Sequence, residues 1–155
     1  MSDAVRIRRM SEADLEQVMA IAASLKDAPH WQRDAYLQAL DEGATPGRLA
    51  LVAEDSETGA VTGFAVACLL RPQAELESIA VAEAEQRQGI GRKLFFRLVE
   101  ELTVAGVREV LLEVRASNQR ARDFYRSLGW IETGIRPRYY ADPEEDAVLM
   151  SLKLE

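Results

Sequence analysis

Apolar positions along the chain switch between a spacing of two and a spacing of three to four, and each switch marks an element. Val5 and Ile7 alternate with Arg6 and Arg8, which predicts a first strand with one face buried. Ser11 and Asp14 have capping-box spacing, and behind them Leu15, Val18, Met19 and Ala22 recur as on a helix. After Pro29, the positions of Trp31, Tyr36, Leu37 and Leu40 predict a second helix ending near Gly43. Leu49 to Glu54 and Val61 to Leu70 read as antiparallel strands joined by the polar, glycine-containing turn Asp55 to Gly59. Another strand is expected over Leu76 to Val81. A polar stretch follows, then a helix from about Gly91 to Ala105 with Leu94, Phe95, Leu98 and Leu102 on one face and Gly106 closing it. Val110 to Val114, interrupted only by Glu113, reads as a strand buried on both faces. Ala121, Phe124, Tyr125 and Leu128 mark a short helix closed by Gly129, and strands over about Trp130 to Arg136 and Ala147 to Lys153 flank the acidic loop Asp142 to Asp146. Strand, two helices, three strands, helix, strand, helix and two strands make an α/β fold with a mixed sheet.

Composition narrows this picture. With 155 residues, 48% of them apolar, and no linker or internal repeat, the chain reads as one domain over 1–155. A charged fraction of 29% without long biased tracts argues against global disorder. The longest apolar stretch, Val61 to Leu70, falls well short of the roughly 20 residues of a membrane helix. The N-terminus carries no basic segment followed by an apolar one, so the expected location is the cytoplasm, with no membrane partner. Cys68 is alone, which excludes an internal disulfide and a cysteine-based zinc site, and no metal is expected. The net charge of −7 disfavours binding nucleic acid by bulk charge.

Candidate chemistry is concentrated in Gln86-Arg87-Gln88-Gly89-Ile90-Gly91-Arg92, between a strand and an amphipathic helix. Glycines let the backbone approach a ligand closely, and a helix start offers unpaired N–H groups and positive dipole to an anion. Arg87 and Arg92 add charge-assisted donors. A Walker loop is excluded because Gly-Lys-Ser/Thr is missing, and a dinucleotide fingerprint because Leu94 stands where its third glycine belongs. A plain strand-to-helix turn would explain one glycine, but hardly two flanked by arginines.

Gln-x-x-Gly-x-Gly opening a helix, after the strand Leu76-Glu77-Ser78-Ile79-Ala80-Val81, resembles the acetyl-coenzyme A pyrophosphate loop of the Gcn5-related N-acetyltransferases. Leu112-Glu113-Val114-Arg115-Ala116-Ser117-Asn118 and Phe124-Tyr125-Arg126-Ser127-Leu128-Gly129-Trp130 resemble the branch that acetylates protein N-termini, and within it the bacterial ribosomal-protein alanine N-acetyltransferases. The resemblance is strong from about Ala74 to Gly134, persists through Arg138-Tyr139-Tyr140 and Ala147 to Met150, and is weak before Leu49. It implies a single-domain acetyltransferase fold, with a mostly antiparallel sheet of six to seven strands, about four helices and splayed central strands. It also implies acetyl-coenzyme A as co-substrate, held by the backbone of Ile79, Ala80 and Val81 as an added strand, by Arg87, Gln88, Gly89, Ile90, Gly91 and Arg92, and by Asn118.

Acyl transfer from a thioester to an amine needs a neutral amine, a stabilised oxyanion and a proton for the leaving thiolate. Glu113 is the first candidate base, since a carboxylate in an apolar run requires an explanation. A polar-facing strand end or a pairing with Arg115 would also supply one. The resemblance favours Glu113 as the proton acceptor, yet many relatives place their base on the strand before the glycine loop, where Glu75 and Glu77 share a face. Tyr125, protonated at neutral pH, is the candidate acid, with a core position as its alternative; the resemblance selects it over Phe124. Asn118 lies two helical turns before it and is also placed to cap the helix. His30, the only histidine, has no triad partners in view and is assigned to the surface or a substrate loop. The expected reaction is transfer of the acetyl group to the α-amino group of a protein N-terminus, such as the N-terminal alanine of a ribosomal protein. A small-molecule amine or a lysine side chain is the alternative acceptor, and a non-catalytic acyl-coenzyme A sensor the alternative role.

Overall fold

The computed structural model describes residues 4–154. Strand β1 (Val5–Arg9) leads through a 3-10 turn at Glu12–Asp14 into helices α1 (Leu15–Ser24) and α2 (Arg33–Leu40). Strands β2 (Arg48–Asp55), β3 (Val61–Leu70) and β4 (Gln73–Val81) follow, then helix α3 (Ile90–Val104), strand β5 (Glu109–Arg115), helix α4 (Gln119–Ser127) and strands β6 (Ile131–Tyr140) and β7 (Glu145–Lys153). All seven strands form one sheet in the order β1-β2-β3-β4-β5-β7-β6. The pair β4 and β5 is parallel, and the other pairs are antiparallel. The expected mixed α/β sheet with four helices is therefore the observed one.

The helices divide between the faces as their apolar stripes require. Helices α1 and α2 bury Leu15, Val18 and Tyr36 against Val52, Phe64 and Val66 on one face. On the other, Leu94, Leu98 and Leu102 of α3 cover Leu51, Ala65, Leu76 and Leu112, and each such fully buried side chain contributes about 1.5 to 3 kcal/mol. The start of α1 is fastened electrostatically: the Ser11 N–H donates to Asp14 Oδ2 at 2.8 Å, and Arg8 donates to both Asp14 oxygens at 2.8 and 2.9 Å. Gly63 on β3 is needed for packing, because a Cβ there would lie 2.9 Å from the Ala80 carbonyl oxygen.

Two irregularities position the site. Val66 faces Ser78 while Ala67 faces Leu76, so Glu77 is the extra residue of a β-bulge. The bulge reverses the alternation: Ala74 and Leu76 pack toward α3, whereas Ala80 packs toward α1 and α2. Farther across the sheet, β4 and β5 pair only from Gln73 with Glu109 to Glu75 with Leu111. Beyond that point the two strands diverge, as the splayed central strands of the sequence reading require.

Several boundaries differ from the sequence reading. Strand β5 alternates between buried and half-buried positions instead of being covered on both faces, because α3 packs against Val110, Leu112 and Val114 only. Strand β4 begins at Gln73, earlier than expected. The last two strands run longer than predicted, and β7 absorbs Glu145 and Asp146 from the expected acidic loop. Strand β6 is an edge strand exposed along nearly its whole length, so no buried face marks it in the sequence. Among the described residues, no helix is long and apolar enough to cross a membrane.

Candidate active site

The glycine loop reaches α3 through two left-handed residues, Arg87 at φ 69° and Gly89 at φ 81°. Gly89 is the N-cap, so the first N–H groups of α3 open beside the loop with the positive end of the helix dipole. Gln86 fastens the approach: its Nε2 donates to the Val81 carbonyl at 3.0 Å, and its Oε1 accepts from Arg120 Nη2 at 2.9 Å. Gly91 allows α3 to start against α4, since a Cβ there would touch the Phe124 ring at 3.4 Å.

This loop forms one end of a cleft of about 1070 Å³ that continues between the diverging strands. Of the residues expected to bind the coenzyme, Ile79, Ala80, Val81, Arg87, Gly89, Ile90, Gly91, Arg92 and Asn118 all line it. Gln88 does not; it is exposed outside the cleft. Ile90 packs its side chain into the core, which leaves its backbone N–H as the group it offers. Arg92 is shared with α4, donating to Ser127 Oγ at 3.1 Å. Asn118 caps α4, its Oδ1 accepting from the Ala121 N–H at 3.1 Å, as its position before the helix predicts.

Glu113 and Tyr125 both line the same cleft. Glu113 extends from β5 on the face away from α3, and Arg136 Nη1 stands 3.0 Å from its Oε2. Tyr125 packs its ring against Phe124 and Trp130, with centroids 5.4 and 5.5 Å away. Burial raises the Tyr125 phenol above its ordinary value, and nearby Tyr140 acts in the same direction. Glu77 lines the cleft but is committed to Arg48, whose Nε donates to Glu77 Oε1 at 2.8 Å. Glu75 lies outside the lining, and its carboxyl is pushed up by desolvation, then by Glu77 and Glu113. His30 is exposed, with Nε2 3.1 Å from the Leu25 carbonyl, and is not part of the lining. Cys68 is buried, and burial pushes its thiol up.

Sequence reasoning missed two contributors. Leu25 to Pro29, after α1, close one side of the cleft. Arg120 holds the glycine loop from α4. Tyr140, which the resemblance had reached through Arg138-Tyr139-Tyr140, enters from the end of β6 beneath the Arg115 guanidinium, 4.4 Å from its ring centroid. Gln86 was visible as the first residue of the motif; Arg120 and the Leu25 to Pro29 segment carry no local signal because each acts across the fold.

These features suit an extended anionic cofactor. The β4 edge released by the divergence offers unpaired backbone groups to an amide-bearing chain, while the α3 N-terminus, Arg87 and Arg92 suit its phosphates. The model of the acetyltransferase (GNAT) family matches residues 14–130. The ribosomal protein bS18-alanine N-acetyltransferase of Escherichia coli (strain K12) is 43% identical over 101 residues, 64% of this chain and 68% of that protein. The crystal structure of the ribosomal-protein-S18-alanine N-acetyltransferase from Escherichia coli superposes with a TM-score of 0.83 at 33% identity, covering 97% of this chain and 94% of that one. YncA from Salmonella typhimurium, solved with its cofactor acetyl-CoA, superposes with a TM-score of 0.81 at 25% identity, covering 97% and 94% of the two chains. The chain belongs to the Gcn5-related N-acetyltransferase (GNAT) family and is an acetyl-coenzyme A-dependent N-acetyltransferase.

Proposed function

We propose that this enzyme acetylates the α-amino group of a protein N-terminus, with the N-terminal alanine of a ribosomal protein as the leading acceptor. The observation that carries the reading is the placement of Glu113 and Tyr125 on one cleft, beyond the point where β4 and β5 part. The names of the relatives similar over most of the chain support the acceptor. So does acid–base arithmetic: with a pKa of about 8, roughly a tenth of an α-amine is neutral at pH 7, against less than about 0.1% of a lysine at about 10.4. A single carboxylate has less work to do on the former.

Acetyl-coenzyme A supplies the activated acyl group. The N–H groups at the start of α3, with Arg87 and Arg92, hold its phosphates, and the β4 edge at Ile79 to Val81, no longer paired with β5, orients its arm. Asn118 completes this side of the cleft. Glu113 takes a proton from the acceptor's ammonium group, which leaves the nitrogen lone pair free to attack. Tyr125 keeps its proton throughout the neutral range; as the C–S bond breaks it donates that proton to the departing sulfur, and it is restored by the second proton that the newly bonded nitrogen loses. The segment Leu25 to Pro29 and Tyr140 border the cleft and would meet the acceptor peptide. The surplus of acidic residues favours the approach of a cationic amine, and the place of action is the cytoplasm.

Mass spectrometry tests the acceptor. Purified enzyme with acetyl-coenzyme A and short peptides beginning with alanine, serine or methionine should yield peptides acetylated at the α-nitrogen, fastest with alanine. Modification confined to lysine side chains or free small amines would overturn this reading.

A further inference from the structure

Glu75 lies near enough to both Glu77 and Glu113 for each to push its carboxyl up, after the larger effect of desolvation. Glu77 is neutralised by Arg48 at 2.8 Å and Glu113 by Arg136 at 3.0 Å. Arg136 arrives from the edge strand. It is paired with Ala147 of β7, which is paired in turn with Arg115 of β5, so the guanidinium crosses a strand whose small side chain leaves room for it. The crossing is held in place by a local irregularity. Between Arg136 and Tyr140, β6 is longer than the facing segment of β7; Arg138 takes φ 55° and its N–H donates to Asp146 Oδ1 at 3.0 Å. Tyr139 thereby lies against Arg136, with the guanidinium carbon 4.9 Å from its ring centroid. Glu113 Oε2 is shut off from solvent and accepts no aligned hydrogen bond, so the ion pair with Arg136 offsets its burial, and the Tyr139 hydroxyl is a second group directed at the carboxylate.

We propose that Arg136 is a positioning residue for Glu113: braced by Tyr139, its guanidinium aims the carboxylate into the cleft. The inference rests on the reading of Glu113 as the base. The other charged and titratable groups on this side are Arg115 on β5, Tyr139 and Tyr140 on β6, Arg48 on β2, Tyr125 on α4, and Lys26 and Asp27 after α1. None of them is an ion-pair partner of Glu113. Arg136 is 55% exposed, so replacing it leaves the core intact.

The test is steady-state kinetics with an alanine-initiated peptide and acetyl-coenzyme A, for wild type, Arg136→Gln, Arg136→Lys and Glu113→Gln. Arg136→Gln should lower kcat about tenfold while KM for either substrate changes by less than about twofold, and Arg136→Lys, which keeps a charge facing Glu113, should recover most of the loss. An unmoved kcat with a changed acceptor KM would overturn the proposal and make Arg136 a contact of the acceptor instead, and so would a loss that Arg136→Lys does not recover. Glu113→Gln separates the two readings. If it retains wild-type kcat, the base assignment fails and this inference falls with it; if it is inactive while Arg136→Gln keeps wild-type kcat, the inference fails alone.

Discussion

Arg48 grips Glu77 with two donors, Nε to Oε1 at 2.8 Å and Nη2 to Oε2 at 3.3 Å, at the residue where β4 bulges. A carboxylate gripped on both oxygens is occupied before any substrate arrives, whereas Glu113 meets Arg136 through one contact at 3.0 Å with no aligned hydrogen bond on that oxygen. Glu77→Gln should therefore lower kcat by less than about tenfold, and Glu113→Gln by about 10² to 10⁴, the usual range for loss of a general base. Steady-state kinetics with an alanine-initiated peptide make the comparison, and a reversal of the two effects would move the base to β4.

Tyr125→Phe removes a hydroxyl without changing the ring packing against Phe124 and Trp130. We expect kcat to fall by about 10² or more while KM for acetyl-coenzyme A changes by less than about threefold. Burial raises the phenol above its ordinary value, so the proton-donating form persists as pH rises. The basic side of the wild-type kcat profile should thus show no loss from Tyr125 below about pH 10. Undiminished turnover by Tyr125→Phe would remove it as the acid.

Gly89 sits at φ 81° with nothing within 4 Å of a Cβ built there, so alanine would meet no neighbour and would strain only the backbone. That strain is about 1 to 2 kcal/mol, and it falls on the cap that aims the α3 N–H groups. Gly89→Ala should raise KM for acetyl-coenzyme A more than KM for the acceptor. Thermal unfolding and binding titration of acetyl-coenzyme A would show both parts of the effect.

Asp14 is buried, and the Arg8 guanidinium beside it holds its carboxyl below the usual range, outweighing the opposing effect of burial. Because the folded value is lower than the unfolded one, this contribution is complete above the ordinary value of about 3.9 and is lost as pH falls through the folded value. Asp14→Asn should cost about 3 kcal/mol at pH 7, the low end for breaking a buried pair, since Arg8 keeps Glu54 at 2.8 Å. Urea unfolding at pH 7 and pH 3 should show the gap between wild type and variant narrowing at the lower pH.

Elements with a regular apolar period could be read almost to the residue. The helix expected from Gly91 to Ala105 runs Ile90–Val104 because it buries one face whose spacing is written locally, and the strand Val61 to Leu70 is found as expected because a mostly apolar run buried on both faces is equally local. The far end of β6 was not legible, since an exposed edge strand imposes no alternation. In the site, the glycine loop, Asn118, Glu113 and Tyr125 stood out as unusual residues in local context. Arg136 and Arg120 did not, because an arginine on an exposed strand or helix looks the same whether or not it reaches another element.

The sequence by itself determined the order of elements, the glycine loop that opens α3 and the residue types available for acid–base work, all of which depend on neighbours a few positions apart. Only the tertiary structure decided that β4 leaves β5 after Glu75, that the bulge at Glu77 turns that carboxylate to Arg48, and that Arg136 reaches Glu113 across β7. The physical reason is that an ion pair or a strand divergence is a relation between positions far apart in the chain. Its energy depends on where the sheet brings them, and local spacing carries no record of that.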